Sequence, residues 1–183
     1  MTTKIKEIAI NHAQDLPSNL QNTPIQDLFE FHNNSKESAQ DYTAAKMAIV
    51  MCMDNRKKLN IPNNFAYIVR SPGARIKGNE FGLSFAIGAA KVQHIAMIAH
   101  TDCGMVNLPK KKEATLEGFQ ELLGWSKENS EQYFETNAKE FFIEDGSEFV
   151  VKEAKRLASE FPNTTIVPML YKVEDHKLYL LEE

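Results

Sequence analysis

Cysteine is nearly absent from this chain, with two residues in 183, Cys52 and Cys103. So sparse a pair cannot form the disulfide framework of a small secreted scaffold. In a reducing compartment two such thiols are free, metal-bound or catalytic. Glycine is scarce as well, at eight residues, and never falls into G-x-G-x-x-G or P-loop spacing, so a nucleotide site has no support. Basic residues are outnumbered, 21 Lys and Arg against 25 Asp and Glu, for a net charge of -4. Nucleic acid and anionic membranes both need a concentrated basic surface, and both are excluded as expected partners. The basic cluster Lys110 to Lys112 reads as a solvated loop. The opening MTTKIKEIAINHAQ has no signal-peptide core, and no apolar run approaches the roughly 18–20 residues that cross a bilayer. A cytoplasmic location is the expectation. Internal repeats and low-complexity tracts are also lacking.

What remains is an ordinary globular composition, 43% hydrophobic and 25% charged. A chain of this length buries roughly 70% of its unfolded surface, so 1–183 is expected to be a single domain. A first segment, 1–45, reads as a helical arm. Thr23 caps a helix that begins at Pro24 and runs to the low thirties, with Gln26 at capping-box spacing and Leu28 and Phe31 as its apolar stripe. His12, His32 and, near the other end of the chain, His176 have no partners at ligand spacing and read as surface histidines. Three apolar runs of strand length follow: Lys46–Met51, Phe65–Val69 and His94–Ala99. Between the last two lies a helix capped by Asn79, with Phe81, Phe85, Ala89 and Val92 at helical spacing. The segment 110–145 is a helical elaboration. A clearer helix follows, with Val150, Ala154, Leu157, Ala158 and Phe161 on one face and Pro162 as its stop. TTIVPML then reads as a strand and YKVEDHKLYLL as a hairpin-like pair. The order implies an α/β single domain whose central, mostly parallel β-sheet is flanked by helices.

Reactive groups gather at the ends of two of these strands. Cys52 follows the first apolar run and His100 the third, so both stand at carboxyl ends of parallel strands, where open α/β sheets form their sites. Cys103, three residues past His100, can turn to the same point. Two thiolates and an imidazole suit Zn²⁺ better than Mg²⁺ or Ca²⁺, and three protein ligands leave a fourth tetrahedral position open. Cysteines at strand ends are also common core filling. Core packing, however, does not require Asp54 and Arg56 beside them.

Together, Cys52-x-Asp54-x-Arg56 and His100-x-x-Cys103-Gly104 resemble the β-class carbonic anhydrases. The resemblance is detailed over 46–106, which would form the metal-site core, returns loosely in the last helix and strands, and has no counterpart for 110–145. It implies one zinc per chain on Cys52, His100 and Cys103, and a catalytic dyad of Asp54 and Arg56. The implied activity is reversible hydration of CO₂ to bicarbonate, the carbonate dehydratase reaction of a lyase. It also implies a homodimer or dimer of dimers, with the first helix reaching a partner through Leu28 and Phe31. Two departures stand out: Asn55 where the family usually has Ser, and Ser71-Pro72-Gly73 where it has Asn-Ala-Gly. The dyad has a physical reason of its own. A carboxylate beside zinc readily coordinates it, whereas Arg56 offers Asp54 a planar fork of competing donors. Three alternatives keep some of the same residues: a zinc hydrolase acting on carbonyl sulfide or carbon disulfide, a non-catalytic zinc-binding homologue, and a thiol enzyme using Cys52.

Overall fold

The computed structural model describes residues 4–38 and 41–183. Its elements are β1 (Lys6–Ala9), α1 (Pro24–Asn33), β2 (Met47–Cys52), β3 (Ala66–Ser71), α2 (Glu80–Ala90), β4 (His94–His100), α3 (Lys112–Leu123), α4 (Lys127–Phe141), α5 (Gly146–Glu160), β5 (Thr165–Lys172) and β6 (Lys177–Glu182). The strands form one six-stranded sheet in the order β1-β6-β5-β4-β2-β3. Pairing is parallel from β3 through β5 and antiparallel at β5-β6 and β6-β1. After β3 the chain crosses back to put β4 on the other side of β2, which makes the β2/β4 boundary the place where strand order reverses.

Period-two alternation divides the central strands between two cores. Met47, Ile49 and Met51 of β2, with Ala96 and Ile98 of β4, face the layer containing Ile25, Leu28, Phe29 and Phe31 of α1. Ala48 and Val50, with Ile95, Met97 and Ala99, face α5 and α2. Every residue of β2 is buried, as a strand covered on both faces requires. No helix among the described residues is long and apolar enough to cross a membrane.

The first helix begins as its sequence predicts. Thr23 Oγ1 accepts from the Ile25 amide, while Gln26 Oε1 reaches the Asn22 amide, one residue before the expected capping-box donor. Its far end is tied to the sheet by Asn33, whose side chain donates to the Leu178 carbonyl and accepts from the Leu178 amide, both at 2.9 Å. Leu28 and Phe31 are 0% and 4% exposed within this chain's own core, so they are not available to a partner. Each such side chain contributes roughly 1.5–3 kcal/mol by leaving water, which only its own sheet offers here. The arm also contains a strand: β1 pairs with β6 rather than joining a helical segment.

The second helix spans its predicted range but is rotated relative to its expected face. Leu83 and Ala86 are buried, whereas Phe81 is 81% and Phe85 53% exposed. The small side of the helix lies on the sheet. Val92 is buried beyond the helix, after a left-handed Lys91. In α5 the inward set is Val150, Val151, Ala154 and Leu157, with Ala158 exposed. Tyr171 and Lys172 extend β5, so the terminal hairpin is β5-β6. The 110–145 segment is a helical hairpin, α3 and α4, in which Phe119, Trp125 and Tyr133 pack their rings together.

His12 and His176 are exposed, but His32 is not a surface residue. Its ring lies against Tyr171 at 5.4 Å and Nδ1 accepts from the Asn60 amide at 3.1 Å, while Nε2 is buried without a partner. Burial pushes its pKa down to about 4 from 6.5. The unfolded chain therefore takes up this proton first as pH falls, and the stability present above pH 6.5 is lost toward pH 4. Between about pH 7.5 and about pH 4.5 this one group should remove about 2–3 kcal/mol. Urea denaturation across that range should show the loss, and a His32→Gln variant should flatten it. An unaltered slope in the variant would contradict this assignment.

Candidate metal centre

The site is built where β2 and β4 lie side by side. Their register pairs Met51 with Ile98, so Cys52 and His100 emerge at the same edge of the sheet. Beyond His100 the chain turns sharply through Asp102, whose φ of +53° is a left-handed conformation that Asp tolerates better than most residues. This turn carries Cys103 back toward His100. The two Sγ atoms and a ring nitrogen of His100 all lie within 4.8 Å of one another, and the three residues are 4–5% exposed.

The donor set fits zinc. A tetrahedral ion with bonds of roughly 2.0–2.3 Å needs ligand atoms about 3.5–4 Å apart, within the compass of this cluster. His100 Nδ1 lies 2.7 Å from the Thr101 carbonyl, which can only accept, so the ring proton sits on Nδ1 and Nε2 carries the ring's in-plane lone pair. The thiols share a proton: the Cys103 S–H holds Cys52 toward thiolate, and Cys103 itself is pushed up by that charge and by burial. The Gly73 amide also donates to Cys52 Sγ at 3.3 Å.

Asp54 and Arg56 meet as the sequence predicts. Arg56 Nη2 lies 2.7 Å from Asp54 Oδ2, and Nε reaches both carboxylate oxygens at 3.1 and 3.2 Å. The guanidinium first, and Lys57 second, hold this carboxyl well below the ordinary range. Asp54 stands outside the three-residue cluster. Arg56 also bridges to the other loop, with Nη1 2.7 Å from Asp102 Oδ2 and Nη2 3.0 Å from the Asp102 carbonyl.

Three participants escaped the sequence reading. Asp102 sits inside the His-x-x-Cys motif at a position the motif leaves open. Arg70 reaches over from β3 to donate to the Cys52 and Lys57 carbonyls at 3.0 and 3.1 Å, which fixes both ends of the intervening loop. Lys57 is 1% exposed, with Nζ 2.8 Å from Asp54 Oδ2 and 3.0 Å from His100 Nε2. A lysine after an arginine reads as solvated surface, and only the inward turn of this loop reveals otherwise.

In Ser71-Pro72-Gly73 the glycine, which the Asn-Ala-Gly pattern shares, has a structural role. Gly73 has φ +64° and the following Ala74 is left-handed too. A Cβ on Gly73 would stand 2.4 Å from Ile143 Cδ1 and 3.3 Å from the Met105 side chain. Gly73→Ala should therefore cost about 1–3 kcal/mol, chiefly from backbone strain with Ile143 shifting to make room, measured by urea denaturation. A loss below about 0.5 kcal/mol, the ordinary surface range, would show that this turn is not constrained as described.

No protein-family profile and no curated protein sequence matches the chain. Solved structures do. A carbonic anhydrase from Glaciozyma antarctica matches at TM-score 0.57 and 19% identity, covering 89% of this chain and 98% of that one. The β-carbonic anhydrase isoform I of Trichomonas vaginalis matches at 0.59 and 22%, covering 80% and 88%. An apo form of carbon disulfide hydrolase matches at 0.52 and 20%, covering 75% and 79%. By these matches the chain, with its six-stranded, mostly parallel sheet and flanking helices, has a β-carbonic anhydrase-like fold.

Proposed function

We propose that this protein is a zinc-dependent carbonic anhydrase, hydrating CO₂ reversibly to bicarbonate with one zinc per chain on Cys52, His100 and Cys103. The observation that carries the reading is the Asp54 carboxylate clamped beside a buried Cys-His-Cys cluster, charged yet turned to its own cations. Zinc, when bound, supplies the Lewis acidity that provides a hydrolytic nucleophile near neutral pH. Asp54 is the acceptor that orients water there. Arg56 and Lys57 keep it ionised and away from the metal. Free thiols of this kind suit a reducing compartment such as the cytoplasm.

A second reading has one observation in its favour. Met53 and Met105, each within two residues of a candidate ligand, line with Pro72 an apolar cavity of about 360 Å³ that Phe119, Phe134 and Phe141 of the helical hairpin complete. Such a lining suits a less polar linear substrate, as in a carbon disulfide hydrolase. Sulfide release from carbon disulfide distinguishes the two. The thiol-enzyme reading is disfavoured by the burial of Cys52, at 5% exposed.

Elemental analysis should give about one zinc per chain, lost in Cys103→Ser. Stopped-flow CO₂ hydration should rise on the alkaline side of neutrality, because two thiolates already offset much of the metal's charge. Arg56→Ala should slow hydration roughly 10- to 100-fold with zinc retained, the usual effect of removing such a supporting partner. Lys57 remains on Asp54 in that variant, so complete loss is not expected. Zinc-free protein with full activity, or an Arg56→Ala variant as fast as the parent, would overturn the reading.

The proposed assembly is a homodimer, or a dimer of dimers, but through a different face from α1. Strand β3 is the edge of the sheet among the described residues, with Tyr67 42% and Ile68 44% exposed. Phe81 and Phe85 of α2 are further exposed apolar side chains. An unpaired edge whose one charged side chain, Arg70, is engaged by the loop after β2 invites pairing, and a second copy of the same edge satisfies its backbone groups. Light scattering should give at least twice the 20.8 kDa chain mass, and Phe81→Glu with Phe85→Glu should give the single-chain mass. A monomeric parent at micromolar concentration would refute this.

A further inference from the structure

The zinc reading gives Lys57 a role at Asp54 and leaves its contact with His100 unexplained. Its ammonium is buried, and taking such a group out of water costs several kcal/mol unless partners compensate. Its partners are the Asp54 carboxylate at 2.8 Å and the His100 ring at 3.0 Å. The direction of the second contact is fixed by chemistry. His100 gives its Nδ1 proton to the Thr101 carbonyl, so Nε2 has only a lone pair to offer, and an ammonium has only hydrogens. Lys57 Nζ therefore donates to Nε2.

That lone pair is the one a metal needs. An imidazole nitrogen has a single in-plane lone pair, so it cannot accept from Lys57 and ligate an ion at once. A dication roughly 2.0–2.1 Å from Nε2 would also repel an ammonium held against the same atom. We infer that Lys57 is an internal competitor for the metal: it occupies His100 Nε2 and must withdraw, keeping its contact with Asp54, before His100 can bind an ion. The inference rests on the zinc reading and deepens it into control of metal loading. Two consequences follow. Apparent affinity is reduced by the fraction of molecules in which Nε2 is free. Ions with weak affinity for imidazole, such as Mg²⁺, cannot displace the lysine, whereas zinc can.

The test compares the metal-stripped protein with a Lys57→Met variant, each titrated with Zn²⁺ against a chromophoric chelator. Met keeps the length and the apolar stem and removes the donor. Lys57→Met should bind zinc at least tenfold more tightly than the parent. A merely structural lysine would give unchanged or weaker binding, and either result overturns the inference. Should the variant fail to fold, the unaltered protein carries the test. Nuclear Overhauser contacts between the Lys57 ε-methylene and the His100 ring should be present in the stripped protein and lost at one equivalent of zinc. Their persistence in the zinc-saturated protein overturns the inference while leaving the zinc site intact. If neither parent nor variant takes up zinc, the functional reading itself falls, and this inference with it.

Discussion

The pairing of β2 with β4 is the constraint on which the remainder depends. These strands are separated in sequence by β3 and α2, yet they are neighbours at the centre of the sheet, fully buried on both faces. A one-residue slip in a parallel pair with two packed faces would exchange the residues facing α1 for those facing α5, so both cores hold the register. The positions of Cys52 and His100 at a common edge are therefore fixed by Met47, Ile49, Ala96, Met97 and their neighbours, none of which has any chemistry of its own. The convergence of side chains at this edge is a by-product of apolar packing below it.

Above that edge, charge takes over from packing as the organising force. One carboxylate, Asp54, is held by two cations of different kinds: Arg56 faces solvent and reaches across to Asp102, while Lys57 is enclosed. The guanidinium ties the loop after β2 to the turn after β4, two segments with no backbone pairing between them. Arg70 secures the same loop from β3. The loop is thus held by side chains from three directions, which explains how a stretch without secondary structure can keep its reactive groups in place.

Much of this was legible in the sequence, and the failures have identifiable causes. The three central strands are plain because branched apolar runs of that length have few other uses, and the convergence of Cys52, His100 and Cys103 is plain because three residues of metal-binding type fall at or just past strand ends. The face of α2 was misread: Phe81 and Phe85 share a helical stripe with Ala89, and spacing alone does not tell which stripe meets the sheet. Tertiary fit chose Leu83 and Ala86, whose smaller bulk allows close approach. His32 was read as exposed because a lone histidine usually is. Its burial depends on Tyr171 and Asn60, residues distant in sequence that no local pattern connects to it. Lys57 is hidden by its neighbours Arg56 and Lys58, since a run of three basic residues gives no local sign that one member turns inward.

The pairing of β1 with β6 bears on how the molecule folds. It joins Lys6 to Glu182 and so spans nearly the whole chain, whereas β2, β3 and β4 lie within about fifty residues of one another. Contacts between distant segments incur their loop-closure entropy before they return any stabilisation, so pairs of short sequence separation form at lower cost. The strands that carry the reactive edge belong to the low-contact-order half of the sheet. Assembly can begin there, and the clasp between the two ends of the chain is the step with the largest entropic cost and the natural one to come last.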